Sequence, residues 1–480
     1  MVELKKKVAV LGLGIENLAL TNFLLQKGAQ VTVCDRRTPR QLGERYTALR
    51  NFGVDFRLGP SYLEGLDDFQ VLFRSPGLPL FQPELIAAKQ HGVEITSAMR
   101  LFVALCPCPI IGVTGTKGKG TTAALIHRML VASQHRRGGQ TYLGGNIGIA
   151  PFSFFPQLSA DDVVVLELSS FQLEDMVESV PVAVVTNITE DHLTAADPDN
   201  PNYHRSREAY VQAKTNLFRH QDPSGVTILN NEDPTCRTLR ELVPGTLLLY
   251  GSSALSPGAW YEPTASGQYK LFWNLTGEPE ELIGSDRIKL RGEHNLLNIA
   301  AAALAAAQAG ADRESIVGAI STYKGLEHRL EYVATVDGVQ YFDDSFATAP
   351  EPTIVALRAF QEPIVLIAGG VDKGVDYRPL VEEIIASSVK AVVLIGKMGP
   401  VLKELIIGLG AEKGKVPLLV EGGTNMATVL AVTQEIARPG DVVLLSPACA
   451  SFDLFKNYKE RGDLFKQEVL ALAAKRKDAI

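Results

Sequence analysis

The sequence is poor in several features that mark particular classes of protein. It has 480 residues but five cysteines, an odd number scattered along the chain, which fits reduced thiols better than a disulfide framework. A metal pair at Cys106 and Cys108 would need further Cys or His ligands nearby, so we interpret that Cys-Pro-Cys-Pro run as a linker. The formal net charge is -7, and the lack of a basic surplus argues against binding to nucleic acid.

Long apolar runs are also missing. No window approaches the roughly 18 uninterrupted apolar residues that a membrane span requires, so no membrane role is expected. The lysines at 5–7 and the apolar run after them are similar to a signal peptide, but Glu16 and Asn17 interrupt the run and no small-residue cleavage site follows. We therefore expect a cytoplasmic protein, and a monomer.

A strand–helix alternation recurs along the chain. Short β-branched runs predict buried parallel strands at 8–11, 31–34, 110–113, 163–168, 183–187, 364–368, 391–395 and 442–445. Helical patterns lie between many of them, so the dominant unit is βαβ and the predicted fold class is α/β, with parallel sheets covered on both faces.

The chain length and two breaks, near 106–109 and near Gly325, predict three domains. The first is a Rossmann-like domain at 1–97. The second is a central P-loop ATPase-type domain with a parallel sheet at 98–325, and the third is another Rossmann-like domain at 326–480.

A glycine-rich segment follows the predicted strand at 110–113 and precedes a predicted helix. Its residues are Thr114, Gly115, Thr116, Lys117, Gly118, Lys119, Gly120, Thr121 and Thr122. Glycines let backbone N–H groups turn inward, the helix N-terminus adds positive potential, and Lys119 is placed to reach the β and γ phosphates of a nucleotide. Because Gly120 stands where a hydroxyl residue usually follows the lysine, a magnesium-binding hydroxyl would come from Thr121 or Thr122. Residues 115–122 are therefore predicted to bind ATP.

Acidic side chains and an imidazole follow the next predicted strands. Glu167 lies near the end of one strand, and the segment Asn-Ile-Thr-Glu-Asp-His-Leu, which contains His192, follows the next. Open α/β sheets bind ligands at the carboxyl ends of their strands. Together with the glycine-rich loop, these groups predict a metal–phosphate site.

The first predicted domain half-matches a dinucleotide-binding fingerprint. Gly12 and Gly14 supply two of its glycines, and Asp35 supplies the acid about twenty residues further on, but the third glycine is missing. The pattern favours a nicotinamide oxidoreductase only weakly, and no substrate-domain motif of that class follows.

These segments, in one order along essentially the whole chain, resemble the Mur ligase family. The Thr-Gly-Thr-x-Gly-Lys loop is similar to the ATP loop of Mur ligases and folylpolyglutamate synthases, and the Glu-Leu-Ser-Ser-Phe-Gln-Leu run from Glu167 is most like the members that add D-glutamate. The resemblance implies an ATP-dependent amide ligase that joins D-glutamate to UDP-N-acetylmuramoyl-L-alanine through an acyl phosphate, in peptidoglycan precursor synthesis. It implies ATP and two Mg²⁺ ions as cofactors.

The resemblance also implies roles for single residues of the first two domains. The implied catalytic residues are Lys119, Glu167, His192 and Lys214. The implied magnesium ligands are Thr121, Glu167, His192 and Lys214, the last as a carbamate formed with CO2. The implied residues for the UDP-substrate are Gly14, Asp35, Arg36, Ser75, Asn146 and His192. From the sequence alone, however, Lys214 is an ordinary helix-surface lysine.

In the last domain the resemblance assigns two further groups. Asn295, Arg329 and Asp344 are implied to meet ATP, and the residues implied to bind D-glutamate are Thr348, Lys373, Ser451 and Tyr458. The segment from Asp343 is similar to the family's Asp-Ser-Lys-Ala-Thr-Asn, but Phe346 and Ala349 remove a lysine and an amide. Tyr458 stands where the family usually has phenylalanine.

Three alternatives remain open at this point. A sister ligase would add a different amino acid through the same chemistry. A nicotinamide oxidoreductase would use Gly12, Gly14 and Asp35. A nucleotide-regulated binding module would bind ATP without turnover that depends on an amino acid.

Overall fold

The computed structural model of the chain describes residues 7–134, 138–190, 193, 202–372 and 374–477. The chain forms two compact units: unit 1 comprises Met1–Arg287 and Leu296–Ser321, and unit 2 comprises Ile288–Asn295 and Thr322–Ile480. Among the described helices, none has both the length and the apolar character needed to traverse a bilayer.

The first sheet of unit 1 has five parallel strands in the order β3-β2-β1-β4-β5. They are β1 Lys7–Leu11, β2 Gln30–Asp35, β3 Asp55–Leu58, β4 Val71–Arg74 and β5 Glu94–Ser97. The helices between them are α1 Ile15–Gln26, α2 Pro39–Leu42, α3 Glu44–Leu49 and α4 Pro83–Gln90, with a 3-10 turn at Leu66–Asp68. Alternate residues of β1 join two different apolar cores, Val8 and Val10 one and Ala9 and Leu11 the other, so the sheet is covered on both faces.

The second sheet of unit 1 has nine strands in the order β14-β13-β12-β11-β10-β9-β6-β8-β7. They are β6 Ile110–Thr114, β7 Thr141–Gly145, β8 Val163–Glu167, β9 Val182–Val185, β10 Val226–Asn230, β11 Thr246–Gly251, β12 Gly258–Pro263, β13 Tyr269–Asn274 and β14 Glu280–Gly284. Strands β6 to β12 pair in parallel, which places the carboxyl ends of β6, β8 and β9 at one edge of the sheet.

Helices and 3-10 turns connect these strands. The helices are α5 Ala98–Leu105, α6 Lys119–Ala132, α7 Ser170–Leu173, α8 Arg207–Thr215, α9 Pro234–Thr238, α10 Glu293–Gln308 and α11 Arg313–Thr322. The 3-10 turns are Pro151–Ser153, Phe155–Gln157, Arg240–Leu242 and Ser285–Arg287.

Unit 2 contains a six-stranded sheet in the order β15-β16-β20-β17-β18-β19. Its strands are β15 Glu331–Val336, β16 Val339–Asp343, β17 Ile364–Gly369, β18 Val389–Ile395, β19 Leu418–Glu421 and β20 Val442–Leu445. Its helices are α12 Pro350–Arg358, α13 Arg378–Ala386, α14 Gly399–Lys413, α15 Met426–Ile436 and α16 Tyr458–Lys477. Leu366 and Leu444 pack into one core and Ile367 and Leu445 into another, so this sheet is also buried on both faces.

The predicted α/β class is confirmed, and each predicted strand is present within a few residues of its expected bounds. Two antiparallel edges were not predicted: β12 to β14 in unit 1 and β15 with β16 in unit 2. These edge strands carry Trp, Tyr, Lys and Glu rather than unbroken β-branched runs, so a search for buried parallel strands passes over them. The three-domain boundaries stay a prediction.

Candidate active site

The glycine-rich loop joins β6 to α6, and two of its residues have backbones that only glycine adopts easily. Gly115 has φ +146° and Gly118 has φ +84°. A Cβ at residue 115 would lie 1.8 Å from Thr186 Oγ1, and one at 118 would lie 2.4 Å from Asn298 Oδ1. Glycine is therefore required at both places by the backbone angle and by a neighbouring side chain.

The residues after β9 clamp this loop from one side. Lys117 donates its backbone N–H to Asn187 Oδ1 at 2.9 Å, and Asn187 Nδ2 donates to the Lys117 carbonyl at 3.0 Å. Thr186 Oγ1 donates to the same carbonyl, and the Thr116 N–H donates to the Asn187 carbonyl at 2.7 Å. Lys119 Nζ donates to the Thr116 carbonyl at 3.0 Å. The loop is thus held through its backbone. Sequence reasoning missed Thr186 and Asn187, although the end of a parallel strand was a signal for them.

Helix α8 contributes two side chains to the underside of the loop. Tyr210 OH lies 2.8 Å from Thr116 Oγ1, and Lys214 Nζ donates to the Gly115 carbonyl at 2.8 Å. These two residues are four apart on one helix face, and the Lys214 ammonium lies 4.6 Å from the centre of the Tyr210 ring. Lys214 is only 2% exposed, so its interpretation from the sequence alone as a surface lysine was wrong.

Glu167 ends β8 and is 7% exposed. Asn146 holds it twice, with its backbone N–H donating to the Glu167 carbonyl at 2.8 Å and its Nδ2 donating to Oε1 at 3.2 Å. A Cβ at Gly145 would lie 2.2 Å from the same carbonyl, so the 145–146 turn must pass very close to the strand end. A residue predicted to bind the UDP-substrate therefore positions a predicted magnesium ligand.

These residues fit a magnesium–phosphate site. Mg²⁺ prefers oxygen ligands and is usually bound by one or two carboxylates together with phosphate. Glu167 supplies the carboxylate beside a loop whose backbone suits phosphate, and the half-buried Thr121 lies in the first turn of α6. Two predicted site residues, His192 and Lys373, lie outside the described residues.

In the described part of the chain, the clusters of three His, Asp or Glu side chains with metal-like spacing lie in unit 2, around His328. Lys466 ion-pairs with Glu327, Glu331 and Asp463 there. Because Lys466 already pairs with these carboxylates, we interpret the group as an ion-pair network.

A cavity of about 300 Å³ lies beside the first turn of α1 and contains five residues of interest: Gly12, Gly14, Asp35, Arg36 and Ser75. Four of them were predicted to bind the UDP-substrate. Asp35 accepts hydrogen bonds from the Leu13 N–H at 2.7 Å and from Arg37 Nε and Nη2 at 2.9 and 2.7 Å. Burial alone would raise the pKa of Asp35, but these hydrogen bonds outweigh it and hold the pKa below its usual value. Arg37, which the sequence did not single out, therefore fixes Asp35, and the exposed Arg36 lines the cavity.

A second cavity, of about 200 Å³, lies next to the same turn. It is lined by Ile15, Glu16, Pro76, Asn146 and Gln172, among others. Gly14 and Ser75 line the first cavity and their chain neighbours Ile15 and Pro76 line the second, so the two cavities flank the same two loops.

In unit 2, Asp344 follows β16 and is buried. Ser446 Oγ donates to its Oδ2 at 2.6 Å, and the Leu330 N–H donates to its Oδ1 at 3.2 Å. Burial raises the pKa of Asp344 to about 7, against the lowering effect of these two hydrogen bonds. Asn295, also in unit 2, donates its Nδ2 to the Arg291 carbonyl at 2.7 Å.

Phe346, which stands where the family motif has lysine, contacts two predicted site residues. The Arg329 guanidinium lies 4.1 Å from the centre of the Phe346 ring, and Phe346 meets Tyr458 edge to face at 5.0 Å. Three residues predicted from separate motifs are thus brought together in one stack. Thr348 is half-buried nearby in sequence, and Ser451 is 2% exposed.

Arg461 is a further residue that the sequence did not reveal. It is fully buried in α16 and donates to Ser345 Oγ and to the Ser345 carbonyl, both at 2.9 Å, and to the Cys449 carbonyl at 3.2 Å. It therefore joins the loop after β16 to the loop after β20. No local motif marks it, because its partners are more than ten residues away.

Three family models match the chain. They are the Mur ligase MurD-like N-terminal domain at 6–97, the Mur ligase middle domain at 113–306, and the Mur ligase glutamate ligase domain at 328–449.

Curated relatives match the chain over almost its whole length. A UDP-N-acetylmuramoylalanine--D-glutamate ligase of Symbiobacterium thermophilum is 39% identical over 98% of this chain and 99% of its own. The protein of that name from Clostridium acetobutylicum is 38% identical over 97% and 96%.

Solved structures share the fold at much lower identity. The UDP-N-acetylmuramate-alanine ligase MurC of Thermotoga maritima is 19% identical, with a TM-score of 0.57 over 97% of this chain and 99% of its own. MurF of Acinetobacter baumannii is 16% identical, with a TM-score of 0.59 over 92% and 91%. At this low sequence identity, the similarity to these two structures supports the fold and nothing beyond it.

Proposed function

The chain belongs to the Mur ligase family, and from that premise we propose that it joins D-glutamate to UDP-N-acetylmuramoyl-L-alanine with ATP, in cytoplasmic peptidoglycan precursor synthesis. Relatives with that printed activity are 35–39% identical to it over nearly its whole length. The observation that carries the proposal is the clamped phosphate loop, with Lys119 in it, Glu167 at the neighbouring strand end and Lys214 buried beneath it.

Joining a carboxylate to an amine in water is uphill, so the carboxylate must first be activated. In the proposed reaction the terminal L-alanine carboxylate attacks the γ-phosphorus of ATP, and an acyl phosphate and ADP result. The Lys119 ammonium and the N-terminus of α6 would face the phosphates and offset the charge that develops on the transferred group, while the N–H groups of Thr116 and Lys117 serve to hold the loop against Asn187. Because the loop is already held by Thr186 and Asn187, little reorganisation is needed as that charge appears.

Thr121, Glu167, His192 and Lys214 would hold two magnesium ions. When bound, Mg²⁺ neutralises phosphate charge and orients the transferred group. Lys214 would serve as a carbamate, which presents oxygens where the free side chain presents an ammonium. Its burial against Tyr210 and the Gly115 carbonyl supports this role, because a buried lysine with a fixed position can place a carbamate next to the phosphate loop.

In the second half of the reaction, the amine of D-glutamate attacks the acyl carbon and the tetrahedral intermediate expels phosphate. Lys373 would pair with a substrate carboxylate, and Thr348, Ser451 and Tyr458 would orient the amino acid. Asn295, Arg329 and Asp344 would hold the nucleotide. Exclusion of water is essential, because water would hydrolyse the acyl phosphate.

The UDP-substrate would lie along the two cavities of unit 1. Arg36, Asp35, Gly14 and Ser75 would bind its nucleotide end, and Asn146 with His192 its sugar end. The hydrogen bonds from Asn146 to Glu167 support this direction, because the residue proposed to bind the sugar end contacts a residue proposed to bind magnesium.

The test is phosphate release from ATP and magnesium with UDP-N-acetylmuramoyl-L-alanine and one amino acid at a time. D-glutamate is compared with L-glutamate, other D-amino acids, L-lysine and meso-diaminopimelate, and Lys119→Ala serves as the inactive control. We expect release that requires both the UDP-substrate and D-glutamate. Release with a different amino acid would move the chain to a sister activity, and no release with any of them would contradict the proposal.

A further inference from the structure

Glu16 lies in the first turn of α1 and lines the smaller cavity of unit 1. Its Oε2 accepts a hydrogen bond from Gln172 Nε2 at 3.1 Å. Its Oε1 is buried, and no hydrogen-bond partner for it is found among the described residues. A buried carboxyl oxygen without a partner is costly in a native structure, so Oε1, which belongs to a residue that lines a cavity, is a candidate to contact a ligand.

Gln172 is the donor in its hydrogen bond with Glu16, for a structural reason. Gln172 and Ser169 form a capping box at the start of α7, in which Gln172 Oε1 accepts from the Ser169 N–H at 2.9 Å and Ser169 Oγ accepts from the Gln172 N–H at 3.2 Å. The amide oxygen is thereby occupied, so Gln172 turns its N–H group toward Glu16 and donates. A proton on Glu16 must then reside on Oε1, the oxygen that has no partner among the described residues.

The charges around Glu16 favour a proton there. Burial raises the pKa of Glu16 to about 7, the Gln172 hydrogen bond lowers it, Asp175 raises it and Arg74 lowers it. Arg74 at the end of β4 already lies 3.5 Å from both Glu174 and Asp175, so its charge is matched by two carboxylates. The opposite wall is formed by residues of the 145–151 segment, whose sequence Gly-Asn-Ile-Gly-Ile-Ala-Pro contains no titratable side chain.

We propose that Glu16 is a substrate-positioning residue whose protonated carboxyl donates a hydrogen bond from Oε1 to an acceptor oxygen of the N-acetylmuramoyl group. The inference rests on the proposed function, which supplies the substrate. The sugar is chosen over the diphosphate because Asn146 and Pro76 line this cavity, whereas Arg36 lines the other one. A carboxylate beside a diphosphate would also repel it.

The proposal makes binding of the UDP-substrate dependent on pH in a defined direction. Only the protonated form donates, so affinity is greatest below the pKa of Glu16 and falls as the pH rises through it. Substitution Glu16→Gln preserves the geometry without the titration: its Oε1 can accept from Gln172 and its Nε2 can donate into the cavity.

The experiment is equilibrium binding of UDP-N-acetylmuramoyl-L-alanine to the full chain at pH 6.0 and 8.5, without ATP or D-glutamate, so that the amino-acid amine and catalysis do not contribute. We expect the wild-type Kd to be about tenfold or more weaker at pH 8.5. Glu16→Gln should bind with a Kd that changes less than about twofold between the two pH values, close to the wild-type value at pH 6.0. Glu178→Gln, a control acid beyond α7 that pairs with Arg100, should behave like the wild type.

Two further measurements are needed. One tests whether the pH dependence requires the sugar, and the other distinguishes failure of this proposal from failure of the proposed function. The methyl ester of UDP lacks both the sugar and the terminal phosphate ionisation that UDP itself has at about pH 6, and it should bind equally at both pH values. A pH dependence that persists in Glu16→Gln, for instance one due to a histidine, would overturn the role of Glu16, as would a flat wild-type Kd or a matching dependence for the methyl ester of UDP. Absence of binding by the UDP-substrate at every pH would overturn the proposed function itself. Thermal unfolding of each variant establishes that it is folded.

Discussion

The phosphate loop of unit 1 and the predicted amino-acid site of unit 2 both hold charged groups in place, but by different means. In the loop, the contacts of Thr186 and Asn187 are made to backbone atoms of Thr116 and Lys117. In unit 2, side chains dominate: Ser446 holds Asp344, Arg461 holds Ser345, and Arg329 lies over Phe346. A site held through the backbone depends on where glycines fall, whereas a site held through side chains depends on residues far apart in the chain.

The largest effect should follow from Gly115→Ala, which tests the backbone-held site. The new Cβ would meet Thr186 Oγ1 at 1.8 Å and would force a left-handed backbone on alanine. We expect ATP turnover to fall about a thousandfold, which corresponds to roughly 4 kcal/mol of lost transition-state stabilisation. Gly28→Ala is the matched control, since Gly28 also has a positive φ, +80°, but open space around it. Equal loss in both variants would show that the collision with Thr186 is unimportant.

Arg461→Met is the corresponding test of the side-chain-held site. It leaves the buried Ser345 hydroxyl, the Ser345 carbonyl and the Cys449 carbonyl without their donor. The expected loss in the free energy of unfolding is about 3 kcal/mol, measured by chemical denaturation. Arg476→Met in the same helix removes only an exposed pair with Asp337 and should cost less than about 1 kcal/mol. A similar cost for the two substitutions would contradict the structural role of Arg461.

Lys214→Ala tests a buried cation beneath the phosphate loop, which the sequence alone had placed on a helix surface. We expect phosphate release to fall about a hundredfold or more, because the proposed carbamate is lost. A small added carboxylate should restore part of the rate by supplying oxygens in its place. Lys270→Ala, which removes a half-exposed lysine of β13, is the control and should leave the rate unchanged. Wild-type turnover in Lys214→Ala would contradict the assignment.

The pKa of Asp344 predicts a pH effect confined to unit 2. Because burial raises it to about 7, the protonated form is favoured by folding, and the associated stability is complete below the unfolded pKa of about 4 and is lost as the pH rises through 7. The free energy of unfolding should therefore fall by about 1.4 kcal/mol between pH 6 and pH 8 because of this group. Asp344→Asn should remove that part of the dependence in calorimetric unfolding curves. An unchanged curve would mean that Asp344 is ionised at pH 6.

The smallest effect should come from Phe346→Leu, which keeps an apolar side chain but removes the ring beneath Arg329. A cation–π contact at a partly exposed site contributes about 0.5–1 kcal/mol. We expect the KM for ATP to rise about two- to fivefold, with a smaller change in kcat, because Arg329 would lose its fixed position. Phe52→Leu, at an exposed ring of unit 1, is the control. An unaltered KM would show that the stack does not position Arg329.

The contrast between the two sites also explains what could be read from the sequence. The loop at 114–122, Glu167 at a strand end and the α/β class follow from glycine spacing and from β-branched runs, both of which are local signals. The burial of Lys214 was missed because Tyr210 and Gly115, its contacts, come together only in the folded chain. Gln172 and Arg461 were missed for the same reason, since Glu16 and Ser345 are far from them in the chain. Arg37 was missed although its partner Asp35 is a near neighbour in the sequence. The roles of the individual site residues, and the domain limits, stay predictions.

The close approach of Gly115 to Thr186 has a consequence for inhibitors and for the evolution of resistance to them. An inhibitor that takes its hydrogen bonds from the backbone of this loop contacts atoms that are present whatever side chains the loop carries. Any larger residue at 115 meets Thr186, and shortening Thr186 alone would not relieve the backbone angle of +146°. A population under selection would therefore find no substitution at 115 that satisfies both the available space and the backbone angle.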